Sequence, residues 1–275
     1  MIASLPNLTL GFDDRGSGLP VVMLHGFPHD RSLWLQQRNA LSTRVRCILP
    51  DVRGFGESSS HGPHSMDQYA DDVIALLDYL EVPQAVVCGL SMGGYIAMAM
   101  WRRHAERIRA MVLCDTRATP DTDDARTARD ESIALVRRDG ARALAEKQLK
   151  GMLGTTTHET KPHVVAHMRA MMERQSVEGI AGALGALRDR PDSRPTIASI
   201  SVPTLVVVGE EDTLTPVSDA QAMVALLPSF ANARLERIDH AGHASCVERP
   251  AAVSHVLAEF LSTLAPDRGW RKTSP

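Results

Sequence analysis

The chain has 275 residues, a formal net charge of −3 and a pI near 6.4, with 44% apolar and 23% charged residues. That is room for one large globular domain, or a core plus one insertion, and no excess of basic residues points to nucleic acid or an acidic membrane surface as partner. The start, Met1-Ile2-Ala3-Ser4-Leu5-Pro6, has neither a basic region nor a long apolar core, and no run of about 20 apolar residues follows, so no signal peptide, no membrane span and a cytoplasmic setting are expected.

Short apolar runs punctuate the chain: Val21-Val22-Met23-Leu24, Val45-Arg46-Cys47-Ile48-Leu49, Ala85-Val86-Val87-Cys88, Met111-Val112-Leu113-Cys114 and Leu205-Val206-Val207-Val208. Helical patterns at 66–80 and 94–104 lie between them. Buried strands alternating with helices mean βαβ units and a parallel sheet, and runs that are apolar throughout fit a sheet covered on both faces. Cys47, Cys88 and Cys114 fall in or at the end of these runs, and no pair of the four cysteines, Cys246 included, has Cys-x-x-Cys spacing. They read as small buried apolar residues, with no disulfide framework, metal site or cofactor implied.

Residues 118–195 break the rhythm. They hold no clear strand, only helical patterns at 125–138, 141–152, 161–175 and 177–188, between the turn-rich edges Thr119-Pro120-Asp121-Thr122-Asp123-Asp124 and Arg190-Pro191-Asp192-Ser193-Arg194-Pro195. The expected organisation is a first core part at 1–117, a helical insertion over the sheet at 118–195, and a second core part at 196–275. Nothing in the pattern specifies an oligomeric state.

The chemistry centres on Gly89-Leu90-Ser91-Met92-Gly93, a strand, a sharp turn and a helix with a hydroxyl at the apex. The glycines leave room for the crowded, unusual backbone that such a turn demands. Serine is a weak nucleophile and needs a base, itself oriented by a third group. Asp212 follows the strand 205–208, and His243 follows the strand-like Leu235-Glu236-Arg237-Ile238, giving the chain order Ser, acid, His. Met23-Leu24-His25-Gly26-Phe27-Pro28 ends a strand, so the backbone N–H groups of Phe27 and Met92 are candidates for an oxyanion hole. One such donor contributes roughly 3 kcal/mol to barrier lowering.

With these pieces together the chain resembles an α/β-hydrolase over nearly its whole length. The resemblance rests on His25-Gly26-Phe27-Pro28, Asp51-Val52-Arg53-Gly54-Phe55-Gly56-Glu57-Ser58, Gly89-Leu90-Ser91-Met92-Gly93-Gly94, Gly209-Glu210-Glu211-Asp212 and Gly242-His243. It implies an eight-stranded, mostly parallel sheet flanked by helices, with a helical cap inserted after the sixth strand. Within the family the chain is similar to small bacterial carboxylesterases and enol-lactone hydrolases. The serine disfavours the haloalkane dehalogenases and epoxide hydrolases, which use aspartate there. The implied activity is hydrolysis of a small-molecule carboxylic ester through an acyl-enzyme. A lactone or enol-lactone hydrolase and a cofactor-free perhydrolase are alternatives, as is a ligand-binding scaffold without turnover.

Several residues compete for these roles. His240 is the nearest rival among 11 histidines, and the Gly-His before a terminal helix favours His243 by the resemblance. Glu210, Glu211 and Asp115 rival Asp212; some family members place the acid at the position of Asp115, which here reads as a structural loop residue. His25 is expected to brace the oxyanion loop, and Asp51-Val52-Arg53 to form a turn. Gly54-Phe55-Gly56 is not a dinucleotide fingerprint, since Ser59 stands where a third glycine belongs. Met152, Met168, Met171 and Met172 read first as packing of the insertion onto the core, with a pocket lining as the second reading. Gly179, Gly182 and Gly185, spaced by three, allow close packing or a mobile lid.

Overall fold

The computed structural model describes residues 1–264. Eight strands form one sheet in the order β1-β2-β4-β3-β5-β6-β7-β8. They are β1 (Ile2–Leu5), β2 (Leu8–Arg15), β3 (Pro20–Leu24), β4 (Arg46–Pro50), β5 (Ala85–Leu90), β6 (Ile108–Cys114), β7 (Thr204–Gly209) and β8 (Arg234–Ile238). β1 and β2 pair antiparallel at one edge, and every pairing from β4 to β8 is parallel. Core helices α1 (Leu35–Leu41), α2 (Met66–Tyr79) and α3 (Met92–His104) precede the insertion.

All residues of β3, β5 and β7 are buried, as the apolar runs require. Period-two alternation sorts their side chains. Val22, Leu24, Val87 and Val206 pack on one face with α2 and α3, and Val21, Met23, Val86 and Val207 on the other. The edge strand β8 instead carries Arg234, Glu236 and Arg237, charges that discourage edge-to-edge pairing. β1 and β2 complete the eight strands that the resemblance implies, though none of the apolar runs marks them. All four cysteines are buried and free, and burial pushes the Cys47 thiol up to about 12.

Between β6 and β7 run α4 (Asp123–Met152), α5 (Thr155–Thr160), α6 (Pro162–Glu173), α7 (Val177–Arg188) and α8 (Arg194–Ser199). α4 is two helices broken at Gly140, whose φ of 82° is left-handed, which accounts for the two helical patterns at 125–138 and 141–152. Thr122 and Ser176 cap α4 and α7 with their side-chain oxygens. Ser193 N–H donates to Ala118 O at 2.8 Å, so the two ends of the segment meet. Met168, Met171 and Met172 are fully buried with the second core face. Gly179 and Gly182 are required for close approach, since an added Cβ would lie 1.8 Å from Gly54 O and 2.5 Å from the His64 ring. Gly185 has nothing within 4 Å of that position, so the spacing by three has no single cause.

The described residues after β7 include α9 (Val217–Leu226), α10 (Ser245–Glu248) and α11 (Pro250–Thr263). Among the described residues no helix is long and apolar enough to cross a membrane.

Candidate active site

Ser91 stands between β5 and α3 with φ 53° and ψ −111°, a conformation that costs a non-glycine residue of order 1–3 kcal/mol. Neighbouring backbone groups and one side chain hold it in place. Ser91 N–H donates to Cys114 O at 2.9 Å, and Ser91 O accepts from Thr116 Oγ1 at 2.9 Å and Gly94 N at 2.8 Å. A Cβ on Gly89 would lie 2.2 Å from Gly93 O, and one on Gly93 2.2 Å from Leu24 O. Both contacts are with backbone, so neither glycine admits a side chain without moving a strand or a helix.

Ser91 Oγ–H donates to His243 Nε2 at 2.8 Å, and His243 Nδ1–H donates to Asp212 Oδ2 at 2.9 Å. The three residues, up to 152 positions apart, therefore meet within hydrogen-bond reach at the carboxyl ends of β5, β7 and β8. Asp212 also closes a local turn: its Oδ1 accepts from Leu214 N at 2.8 Å and Thr215 N at 2.9 Å, and its Oδ2 accepts from Thr215 Oγ1 at 2.6 Å. Burial works to raise the Asp212 carboxyl, but the His243 imidazole and these hydrogen bonds outweigh it and hold it below its usual value. Thr215 Oγ1 lies 3.1 Å from His243 Nδ1, a second acceptor for the same N–H. Sequence reasoning passed over Thr215; its signal was the Asp-x-x-Thr spacing of a side-chain-closed turn.

The His243 loop is anchored by Glu248, also passed over. This buried carboxylate accepts from Gly242 N at 2.9 Å and Ala244 N at 3.2 Å through Oε1, and from Gly154 N at 2.8 Å through Oε2. One side chain thus joins the histidine loop to the insertion between α4 and α5.

The rival residues are engaged elsewhere. His240 is exposed, 3.9 Å from Glu211; Glu211 accepts from Thr156 N at 2.8 Å; Glu210 pairs with Arg237 at 3.3 Å. Asp115 accepts from Gly209 N at 2.8 Å and from the Ser245 hydroxyl. Burial, then the negative charge of Asp212, raises its carboxyl well above the usual value.

His25 spans the next loop: its Nδ1–H donates to Gly26 O at 2.9 Å and its Nε2 accepts from Val52 N at 2.9 Å. Burial depresses its basicity, in keeping with a neutral brace. Asp51 accepts from Arg31 N at 2.7 Å and Glu57 N at 2.9 Å, closing the turn that follows β4. Phe27 packs edge-to-face on Phe55. The Gly26 backbone runs close to β5, with a Cβ there reaching 3.3 Å from Leu90 O. Met92 is the first residue of α3, so its N–H has no acceptor within the helix and lies at the positive end of the helix dipole.

Above Ser91 and His243 opens a cavity of about 300 Å³, walled by Phe27, Tyr95, Met152, Leu187 and Leu214 among others. Met152 thus faces the cavity whereas the α6 methionines do not. A larger groove, about 420 Å³, lies beside Leu33, Val164 and Pro250, and no residue of the Ser-His-Asp set lines it.

The alpha/beta hydrolase fold family model matches residues 20–250. The chain belongs to the α/β-hydrolase fold family. It is 34% identical over 250 residues to 3-oxoadipate enol-lactonase 2 of Acinetobacter baylyi, covering 90% of each chain. Among solved structures it matches a thermophilic esterase from Thermogutta terrifontis, with malate bound, at a TM-score of 0.93 and 36% identity over 96% of this chain and 99% of that one. It also matches the enol-lactonase from Burkholderia xenovorans at 0.88 and 30%, over 95% and 100%. This α/β-hydrolase is thus a hydrolase akin to esterases and enol-lactonases, and its sheet and flanking helices are those the sequence resemblance implied.

Proposed function

We propose that the protein is a serine hydrolase that cleaves small-molecule carboxylic esters through an acyl-enzyme on Ser91. The observation that supports this most is the continuous relay from Asp212 Oδ2 to His243 to Ser91 Oγ, 2.9 and 2.8 Å, beneath a cavity. His243 Nε2 takes the Ser91 proton as Oγ attacks the ester carbonyl. The N–H groups of Phe27 and Met92 face the oxygen that becomes negative. His243 gives its proton to the leaving alcohol, then draws a proton from water, whose oxygen attacks the acyl carbon. Collapse of that second intermediate returns the proton to Ser91 Oγ and frees the acid. Asp212 keeps the imidazole oriented and stabilises its charged form.

Ser91→Ala is expected to lower turnover of a p-nitrophenyl ester by roughly four orders of magnitude or more. A serine-directed phosphonate is expected to label Ser91 in the wild type alone. Wild-type turnover by Ser91→Ala overturns the reading.

A second reading has its own support, the likeness to 3-oxoadipate enol-lactonases at 34% and 28% identity. Here the scissile bond sits in a ring, the acyl and alcohol parts stay joined, and the same proton transfers apply. Comparing rates on lactones and on linear esters of equal chain length separates the two.

A further inference from the structure

The cavity above Ser91 is lopsided in charge. Its lining includes Arg117, from the loop after β6, and Arg129 and Lys147, from the two halves of α4, but no aspartate or glutamate. Two carboxylates, neither of them in the cavity lining, lie near the two arginines, and neither fully satisfies its partner. Asp121 accepts from Arg129 Nε at 3.1 Å but also pairs with Arg190, so one negative charge serves two guanidinium groups. Asp219 lies 3.5 Å from Arg117 Nε, within ion-pair range but without hydrogen-bond geometry, and that Nε is buried with no acceptor. Lys147 Nζ has the Ser132 hydroxyl at 3.3 Å, and among the described residues no carboxylate pairs with it. Guanidinium groups stay charged at any ordinary pH, and a buried N–H of a charged group left without an acceptor is costly. The arrangement suits an arriving anion.

We propose that this cavity holds a carboxylate-recognising subsite, so that the preferred substrate is an ester or lactone whose scissile carbonyl is joined through a short apolar spacer to a free carboxylate. The carboxylate meets Arg117, Arg129 and Lys147 while the spacer lies against Met152 and Leu187, and a volume of about 300 Å³ restricts the whole to a small molecule. The inference rests on the serine-hydrolase reading above and narrows it.

The test compares monomethyl esters of succinate, glutarate and adipate with neutral methyl esters of monoacids of equal length. A parallel arm moves the carboxylate to the alcohol side, using acyl esters of glycolate. The anionic substrates are expected to show kcat/KM at least about tenfold higher in one arm, an advantage that shrinks as salt rises from ~0.01 to ~1 M. The ratio is expected to fall toward one in Lys147→Met and in Arg117→Gln, and to persist in Arg142→Gln, an exposed α4 residue outside the cavity. Glutarate binding by calorimetry gives a readout free of turnover, expected to weaken at least about tenfold in Lys147→Met. Turnover of neutral esters with no anionic preference in either arm, or a preference unchanged in both cavity variants, overturns the subsite and leaves the hydrolase reading standing. Specific glutarate binding without any esterase activity or phosphonate labelling overturns the hydrolase reading instead.

Discussion

Thr215 shows how much a single side chain adds to the site. Its hydroxyl donates to Asp212 Oδ2 at 2.6 Å and stands 3.1 Å from His243 Nδ1. It therefore fixes the carboxylate on the face from which the imidazole is oriented, without touching a reacting atom. Thr215→Val keeps the shape and removes the hydrogen bond. Hydrogen bonds to charged groups contribute ~1.5–3 kcal/mol, so kcat is expected to fall by about tenfold or more, with KM little changed. Steady-state kinetics on one activated ester decides it; a shift in KM alone at constant kcat assigns Thr215 to substrate binding. The three members of the relay were legible because glycine spacing, a strand end and chain order each leave a mark in sequence. Thr215 and Glu248 were not, because a threonine in a turn and a glutamate near a helix start look the same whether or not they support chemistry.

At the scale of elements, legibility followed burial. β3, β5, β6 and β7 are interior strands, and their uniformly apolar runs announced them. β2 mixes buried Leu8, Leu10 and Phe12 with Gly11, Asp13 and Asp14, too weak an alternation to separate from loop. α5 and α8 are six-residue helices rich in Thr, Ser and Pro, poor helix formers held by tertiary contacts. The sequence pattern also could not tell how the insertion is fastened. Arg174 makes two hydrogen bonds to Asp30, 2.7 and 2.8 Å, and Gln175 Nε2 donates to Asp30 at 2.8 Å, tying the end of α6 to the loop that carries Phe27. Glu248 ties the start of α5 to the His243 loop. In Glu248→Gln an amide N–H₂ must face backbone donors now served by a carboxylate oxygen, leaving at least one buried N–H unpaired. The expected result is a loss of about 2 kcal/mol in unfolding free energy, together with a lower kcat well below the melting temperature. Calorimetric unfolding alongside kinetics checks both, and a variant matching the wild type in each argues that the loop's backbone bonds, Ala244 N to Met152 O at 3.1 Å and Glu211 N to Ala241 O at 2.8 Å, hold it without the carboxylate.

The whole molecule's response to acid is set by groups that folding removes from water. His29 is fully buried and both ring nitrogens lack partners; burial, reinforced by the nearby His25 and His243, pulls it down to about 3. His25 and His64 are depressed too, chiefly by burial. For such bases the unfolded chain binds protons more readily than the native one. Their contribution is intact above the unfolded value of 6.5 and drains away as pH falls toward the folded value. Asp30 adds a loss at lower pH. Burial alone would raise its carboxyl, but hydrogen bonds from Ser32 and Arg174 pull it down to about 2. Asp115 works with the opposite sign: its raised carboxyl favours the native state only where it is protonated, so its contribution fades as pH rises. Because these slopes overlap, a difference between variants isolates one of them. His29→Leu replaces an unpartnered imidazole with an apolar side chain of similar size. It is expected to equal or exceed the wild type in stability at pH 7 and to lack one proton's slope, ~1.4 kcal/mol per pH unit below 6.5. By pH 5 the variant is then ahead by a further ~2 kcal/mol, read as diverging urea midpoints at constant m-value. Parallel midpoint curves from pH 7 to pH 4.5 would mean that the native protein protonates His29 as readily as the unfolded chain does, and would overturn the assignment of an acid-sensitive burial to this ring.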